Sequence, residues 1–100
     1  MADNEAVTVS KEMAVTHADF FRSLPNAVDG APYEVSGTKV TVGESDARRL
    51  EIELGPEGER RIALLSVPAT PVTLRFFGYS DSERAAALEA FDRGFQRGGG

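Results

Sequence analysis

The clearest hydrophobic pattern in the chain is an alternation of apolar and charged residues in segment 48–67. Apolar side chains occupy alternate positions before and after a short turn sequence, at Leu50, Ile52, Leu54, Ile62 and Leu64. A period of two is typical of a β-strand with one buried face. The turn sequence is Gly55-Pro56-Glu57-Gly58, in which proline favours a turn and glycine tolerates a left-handed backbone. We therefore predict a β-hairpin closed by a bulged turn, with Gly58 left-handed.

This turn sets the register of the predicted hairpin. A loop of residues 56–58 pairs Ile52 with Ile62 and keeps the apolar side chains on one face. A slip by one residue would place Ile52 opposite an arginine and scatter the apolar side chains over both faces. The same register places Glu53 opposite Arg61 on the other face, where the opposite charges attract. The hydrophobic pattern and the turn chemistry thus favour one pairing.

Two further segments have the alternation that is typical of strands. Segment 33–42 is predicted as a hairpin with a two-residue turn at Ser36-Gly37. Segment 72–77 is predicted as the last strand, and it could form an edge of the sheet because the chain leaves it for a helix. Segment 68–71 begins and ends with proline, which disrupts strand pairing, so we expect it to connect the central hairpin to the last strand.

Two helices are predicted from their capping residues. Thr16 is a good N-cap, and the helix that follows it is expected to end before Pro25. Ser80 and Glu83 have the spacing of a capping box at the start of the second helix. Apolar residues recur at helical spacing along this second helix, at Ala85, Leu88, Phe91 and Phe95. Such a stripe predicts that the helix packs on the sheet.

Together these elements predict an α+β fold. We expect a short N-terminal helix, an antiparallel meander of about five strands, and a long C-terminal amphipathic helix packed on the sheet. One hundred residues are enough for one domain with one core. We place this domain at residues 13–97. A mobile N-terminal arm at residues 1–12, which could include one edge strand, precedes it, and a flexible tail at residues 98–100 follows it.

The composition excludes several kinds of chemistry. The chain has no cysteine, which excludes disulfides, thiol nucleophiles and cysteine-ligated zinc. A net charge of −5 argues against broad nucleic-acid binding. No apolar run is long enough to span a bilayer, and the first residues lack the basic and apolar regions of a signal peptide. We therefore expect a soluble, cytoplasmic protein that uses no nucleic acid, membrane, metal or cofactor.

The residue types that most often carry catalysis have structural explanations here. His17 is the only histidine, and Asp19, two residues later on the same helix, faces a different direction, which favours a surface or capping role for the histidine. The sequence around Ser80 resembles part of a nucleophile elbow, but the second glycine is missing and a helix cap explains the serine. Arginines at 48, 49, 60 and 61 are interleaved with glutamates, which predicts a solvated face. We assign no catalytic, cofactor-binding or metal residue.

Arg75, Phe77 and Tyr79 form the one candidate site. In a regular strand they would share the face opposite Leu74 and Phe76. Aromatic and arginine side chains beside an unpaired sheet edge are typical of protein interfaces. The alternative is that the two helices cover the two faces of the sheet, in which case the first helix would bury Phe77.

From these features we expect a small non-catalytic binding or assembly module that acts through a protein surface. Its partner would be an unknown protein or a second copy of the chain. The alternative is a small-ligand carrier or enzyme that uses carboxylates and arginines in a cleft between sheet and helix. A deep cleft with convergent carboxylates would favour this alternative.

Overall fold

The computed structural model of the chain describes residues 6–45 and 48–99. These residues form six strands and two helices: β1 (Val7–Met13), α1 (His17–Ala27), β2 (Tyr33–Ser36), β3 (Lys39–Ser45), β4 (Arg48–Leu54), β5 (Gly58–Ile62), β6 (Leu65–Phe77) and α2 (Asp81–Gly99). All strand pairs are antiparallel. The fold is therefore α+β, as predicted, but the described part of the chain has six strands rather than about five.

The ends of the chain differ from the predicted boundaries. Residues 7–12, expected as an N-terminal arm with one possible edge strand, belong to β1, which pairs with β6 at the edge of the main sheet. The helix that follows Thr16 is therefore the second element and not the first. At the other end, α2 includes residues 98 and 99 of the predicted tail. The remainder of both predicted segments, residues 1–5 and residue 100, lies outside the described residues.

Strand β6 pairs with three of the other described strands, β1, β4 and β5. The strand order is β1-β6-β4-β3-β2, and β5 also pairs with β6. β6 has 13 residues: its first part, 65–69, pairs with β5, and its second part, 72–77, pairs with β4. β6 is therefore not the predicted edge strand. At about 3.3 Å per residue it spans roughly 40 Å, which accounts for most of the 49 Å length of a molecule that measures 26 Å across.

Strands β4 and β5 do not form the predicted hairpin. Ile52 pairs with Leu74, whereas Ile62 pairs with Leu65, so β4 and β5 lie end to end along β6. Gly58 is not left-handed, and the predicted bulged turn is wrong. The predicted pairing of Glu53 with Arg61 is also wrong. One partner strand that is long enough for both segments lets the chain continue in one direction through residues 55–57, so it does not reverse there.

Both prolines of segment 68–71 lie within β6 and not in a connection. The carbonyl oxygen of Pro71 accepts a hydrogen bond from the Gly55 N–H at 2.7 Å. The backbone of Pro71 thus faces the gap where β4 has ended and β5 has not begun, and its missing N–H costs no ladder bond there. Alternation along the strand turns the backbone of Pro68 to the opposite side, beyond the end of β1, where β6 has an open edge. Edges and ladder interruptions are the positions at which a sheet tolerates proline.

The two helices cover the same face of the sheet. Phe20 of α1 stacks on Phe95 of α2 at 5.0 Å and also lies 6.2 Å from Phe91. These rings pack on the buried face of the sheet, formed by Val40, Val42, Leu50, Ile52, Leu54, Val72, Leu74 and Phe76. The alternative expectation of one helix on each face is therefore wrong. Each helix has one apolar side, and the alternation of the strands supplies only one apolar sheet face to receive both.

The helix starts agree with their predicted caps, whereas the end of α1 does not. The N–H of Asp19 donates to Thr16 Oγ1 at 3.0 Å, and Ser80 and Glu83 form the reciprocal bonds of a capping box at 3.1 and 2.8 Å. α1 continues through Pro25 to Ala27. Pro25 lies in the last turn, where its ring removes a single intrahelical donor. On α2, Leu88, Phe91 and Phe95 face the core, but Ala85 is exposed.

The β2–β3 hairpin turns one residue later than predicted. Ser36 pairs with Lys39, so the turn consists of Gly37 and Thr38. Gly37 has a φ of +62° at the first central position of this turn. Two-residue hairpin turns need a positive φ there, and glycine adopts it without steric cost, which explains why the turn is placed on this residue.

Candidate interaction surface

The structure separates the three residues that were predicted to form one surface. Arg75 and Phe77 are half-buried in β6, on the sheet face opposite the helices. Gly78 follows with a φ of +77°, which ends the strand alternation. Tyr79 therefore turns to the face covered by the helices, where its ring meets that of Phe76 edge to face at 5.0 Å. Arg75 and Phe77 lie together, but Tyr79 does not share their surface.

The aromatic rings of this region are occupied by neighbouring arginines. The guanidinium of Arg49 lies 4.3 Å from the centre of the Phe77 ring and also bonds Glu51 at 3.0 Å. Arg48 lies 5.1 Å from the Tyr79 ring and bonds Glu83 at 3.0 Å. Each arginine thus has a carboxylate and a ring as partners within the same chain. These contacts engage both rings within the chain, and both side chains are half-buried.

The pKa of Tyr79 is raised above its ordinary value of 10.0, mainly because burial disfavours the phenolate. The nearby positive charge of Arg48 opposes this shift, and the negative charge of Glu83 adds to it. The phenol is therefore protonated at neutral pH. Since the neutral form is the one that packs in the folded protein, any stability that it contributes is present below pH 10.0 and is lost as the pH rises through the raised pKa.

A more exposed apolar surface lies on the β5–β6 hairpin, which we define as residues 58–69. Ile62 and Leu65 pair directly across it and are 54% and 66% exposed. Leu64, in the turn between them, is 99% exposed. Val67 continues the face on which Ile62 and Leu65 lie. Contiguous exposed apolar side chains of this kind mark interaction sites on folded domains.

Hydrogen bonds and an ion pair connect the base of the β5–β6 hairpin to α1 and β1. His17 Nε2 donates to the carbonyl oxygen of Gly55, and the His17 backbone N–H donates to the Glu57 carboxylate, both at 2.8 Å. Arg60 forms an ion pair with Glu12 of β1. The single histidine thus holds the start of α1 to the connection that precedes β5. The tip of the hairpin, by contrast, extends beyond the five strands of the main sheet.

The β5–β6 hairpin has two open edges within the described part of the chain. On one side, β5 pairs with β6 alone. On the other side, β1 ends where Met13 pairs with Thr70, so residues 65–69 of β6 have no neighbour there. An unpaired edge presents a row of backbone N–H and C=O groups that another strand can bind. The two edges are not equivalent, because Pro68 removes a donor from the edge of β6.

The direction of each backbone group on β5 follows from the bond between Gly55 and Pro71. Because Pro71 directs its backbone toward the β4 and β5 side, so do the alternate residues Leu65, Val67 and Ala69. Their partners on β5 are Ile62, Arg60 and Gly58, whose backbone groups bond inward to β6. The two remaining residues of the strand, Glu59 and Arg61, therefore direct their N–H and C=O groups outward to the open edge.

A second candidate site is a cleft of about 310 Å³ between the end of α1, the start of α2 and the sheet. Its wall is mainly apolar and includes Ala27, Val28, Leu50, Ala87 and Phe91. The cleft exists because both helices present alanines where larger side chains would fill the space. Its polar lining includes Tyr79, Arg48, Asp29 and Glu83.

Of the two carboxylates that line this cleft, Glu83 is not placed for acid–base work. Glu83 is committed to the cap of α2, where it accepts a hydrogen bond from the Ser80 N–H. This bond, assisted by the charge of Arg48, lowers the pKa of the Glu83 carboxyl. A carboxylate with a lowered pKa is a poor general acid or base at neutral pH. Glu83 is therefore not suited to acid–base catalysis here, whereas the apolar wall of the cleft suits binding of a small apolar molecule.

The interaction surface on the hairpin could not be located from the sequence. Its turn consists of Ala63 and Leu64, which carry none of the usual turn signals. Ala63 adopts a φ of +53° although it is not glycine. One signal in the sequence was the unbroken apolar run 62–65. Such a run does not fit a strand with one apolar and one polar face, which is what this segment was predicted to be.

Two other kinds of site, a metal centre and a membrane-spanning helix, have no candidate among the described residues. Within 6–45 and 48–99, no three histidine, aspartate or glutamate side chains are placed to share a metal ion. Neither α1 nor α2 is long and apolar enough to cross a membrane. Comparisons with protein-family models, with curated proteins and with solved structures found no match to this chain.

Proposed function

We propose that the protein is a binding or assembly module that pairs with an extended segment of another chain through its β5–β6 hairpin. The observation that carries the proposal is the open edge of β5, on which Glu59 and Arg61 direct their backbone groups outward. In strand addition, main-chain hydrogen bonds supply affinity and neighbouring side chains supply specificity. The proposal moves the expected protein surface from Arg75, Phe77 and Tyr79 to the hairpin, and it retains the expected cytoplasmic setting.

Two further features support this use of the hairpin. The exposed side chains of Ile62, Leu64 and Leu65 lie beside the open edge, where they can cover the apolar residues of an added strand. The contacts of His17 and Arg60 hold the base of the hairpin in place before any partner arrives. Such preorganisation lowers the entropy cost of ordering the site on binding.

A random peptide library selected on the immobilised protein tests this proposal. We expect enrichment of peptides with alternating apolar residues, and we expect Arg61→Pro to remove their binding. This substitution deletes a backbone donor on the open edge and leaves the bonds between β5 and β6 in place. The matched control is Arg61→Ala, which keeps the donor and should keep binding. Peptides that bind Arg61→Pro as well as the wild type would contradict the proposal.

The cleft supports a second candidate function, that of a carrier for a small apolar ligand. Its volume of about 310 Å³ and its apolar wall fall within the range of small-molecule sites. A fragment screen by NMR should then give shifts clustered at residues such as Leu50 and Tyr79. Ala87→Leu, which fills the cleft, should abolish them, whereas Ala85→Leu on the exposed side of α2 should not. Shifts that survive Ala87→Leu would exclude the cleft as the site.

A further inference from the structure

We infer that the partner of the β5 edge is a second copy of this chain, paired antiparallel through β5 about a twofold axis at Arg60. The inference rests on the proposed function and names its partner. Most soluble oligomers are homo-oligomers, and a twofold interface requires a surface that is complementary to itself. The sequence of β5, Gly58-Glu59-Arg60-Arg61-Ile62, meets this requirement.

The backbone geometry restricts how two copies of β5 can pair. Only Glu59 and Arg61 direct their N–H and C=O groups outward, so the hydrogen-bonded pairs must form between these residues. A twofold axis at Glu59 would place two glutamates opposite each other, and an axis at Arg61 would place two arginines opposite each other. An axis at Arg60 places Glu59 of each copy opposite Arg61 of the other. Of these three registers, it alone sets opposite charges across both bonded pairs.

The charges of the remaining residues are compatible with this register. The two Arg60 side chains would lie opposite each other on the face that carries Ile62 and Val67, and Glu12 of each chain, which already pairs with Arg60, offsets the repulsion between them. Among the described residues, no carboxylate forms an ion pair with Arg61, whose side chain is exposed. Its guanidinium can therefore bind Glu59 of the second copy without breaking a bond within its own chain.

The same register places the exposed apolar side chains of the two hairpins on one face of the joined sheet, on either side of the Arg60 pair. A twofold axis perpendicular to the sheet keeps equivalent faces on the same side, so Ile62, Leu65 and Val67 of both copies would line one face of a four-stranded sheet. The open edge of β6 at residues 65–69 is less suited to pairing, because Pro68, near its middle, has no backbone N–H to donate. The geometry thus points to β5 as the edge for self-association, and to β6 as the blocked edge.

Sedimentation analysis of two charge variants tests the register. The wild type should form a reversible dimer that weakens as salt is added, because its exposed charge pairs are screened. Glu59→Arg sets two arginine pairs across the interface, and Arg61→Glu sets two glutamate pairs. Each variant alone should dimerise at least about tenfold more weakly, given the contribution of directly opposed charges to strand pairing. The double variant, with both changes in one chain, should dimerise like the wild type.

Mixing the two single variants gives the decisive measurement. In a heterodimer, the arginines at positions 59 and 61 of the first variant would face the glutamates at positions 61 and 59 of the second. The mixture should therefore form dimers at concentrations where each variant alone is monomeric, and a folding defect could not produce this recovery. A wild type that is monomeric up to about 1 mM, where even a weak pair would be visible, would overturn the inference. So would a dimer indifferent to the single changes, or a mixture no better than its components.

Failure of this inference is distinguishable from failure of the proposed function. A monomeric wild type that still enriches peptides, with loss of binding in Arg61→Pro, would remove the second copy as partner and leave strand addition standing. Peptide binding that survives Arg61→Pro would remove strand addition through β5 itself.

Discussion

Gly94 of α2 packs directly against the backbone of Ala27 in α1. A Cβ atom built on Gly94 would lie 2.6 Å from the Cα of Ala27 and 2.7 Å from its backbone nitrogen. These atoms belong to the helix backbone, so they cannot move aside as the end of a flexible side chain can. The close approach of the two helices, and with it the stacking of Phe20 on Phe95, therefore depends on the absence of a side chain at Gly94.

We expect Gly94→Ala to lower the free energy of unfolding by about 1–3 kcal/mol, because the added methyl group forces the helices apart. A urea melt measures this loss. Gly58→Ala adds the same methyl group where the nearest heavy atom outside its chain neighbours is 3.6 Å away, an ordinary contact. This control should change stability by less than about 0.5 kcal/mol. Equal effects of the two substitutions would show that the helix crossing is not as close as described.

Phe91→Ala should destabilise the protein by about 3–5 kcal/mol, as large-to-small changes in cores do. Phe91 is only 2% exposed and lies 4.8 Å from the Phe95 ring. The matched control is Leu64→Ala, which truncates a large apolar side chain that is fully exposed and should cost less than about 0.5 kcal/mol. A loss below about 1 kcal/mol for Phe91→Ala would mean that α2 is not docked through this residue, given the usual range for buried phenylalanines.

Ala63→Gly should stabilise the β5–β6 hairpin by about 0.5–1 kcal/mol, because the left-handed backbone at this position favours glycine. The φ of +53° at Ala63 has a steric cost because alanine carries a Cβ atom. Glycine removes this cost, and the gain is larger than the entropic cost of the greater freedom that glycine gives the unfolded chain. Hydrogen exchange at the amides of Arg60 and Ile62, which bond inward to β6, should slow several-fold. Leu64 has no positive φ, so Leu64→Gly should speed exchange at the same amides. Unchanged exchange in Ala63→Gly would count against the turn at residues 63–64.

The capping box of α2 should make stability depend on pH through Glu83. The Ser80 N–H lowers the pKa of this carboxyl below its ordinary value of 4.5, and Arg48 acts in the same direction. Because the pKa of Glu83 is lower in the folded protein, its ionised carboxylate stabilises the fold above pH 4.5, and this stabilisation is lost as the pH falls through the lowered pKa. The difference in unfolding free energy between the wild type and Glu83→Gln should therefore shrink below pH 4.5. An NMR titration in which Glu83 titrates at or above 4.5 would refute this prediction.

Local signals in the sequence predicted local structure correctly. The caps at Thr16 and Ser80 are satisfied by bonds to residues three positions away, so nothing distant is needed to recognise them. The apolar alternation of β4 likewise identifies the buried residues Leu50, Ile52 and Leu54, because burial on one sheet face requires that period. These predictions depend only on residues that are close in sequence to the residue in question.

The pairing of the strands could not be predicted in the same way. The turn signal at residues 55–58 and the alternation on both sides of it are equally compatible with a hairpin and with two strands placed end to end. Which of the two arrangements forms depends on β6, a continuous strand that contains two prolines. Rules based on local sequence assign such a proline-containing segment to a connection. Since β6 was predicted to begin near residue 72, the hairpin at 58–69 was not expected, and neither was the candidate interaction surface.

The position of β6 determines when during synthesis the protein can acquire its fold. β1, near the start of the chain, pairs with Thr70–Phe76, and β4 and β5 pair with other parts of the same late strand. While a ribosome is still making β6, the described strands that precede it can complete only the small sheet of β2, β3 and β4. β1 stays without its partner until β6 has emerged from the ribosome. Contacts between such distant segments slow folding, so this sheet forms late, and the nascent chain carries exposed strand edges until then.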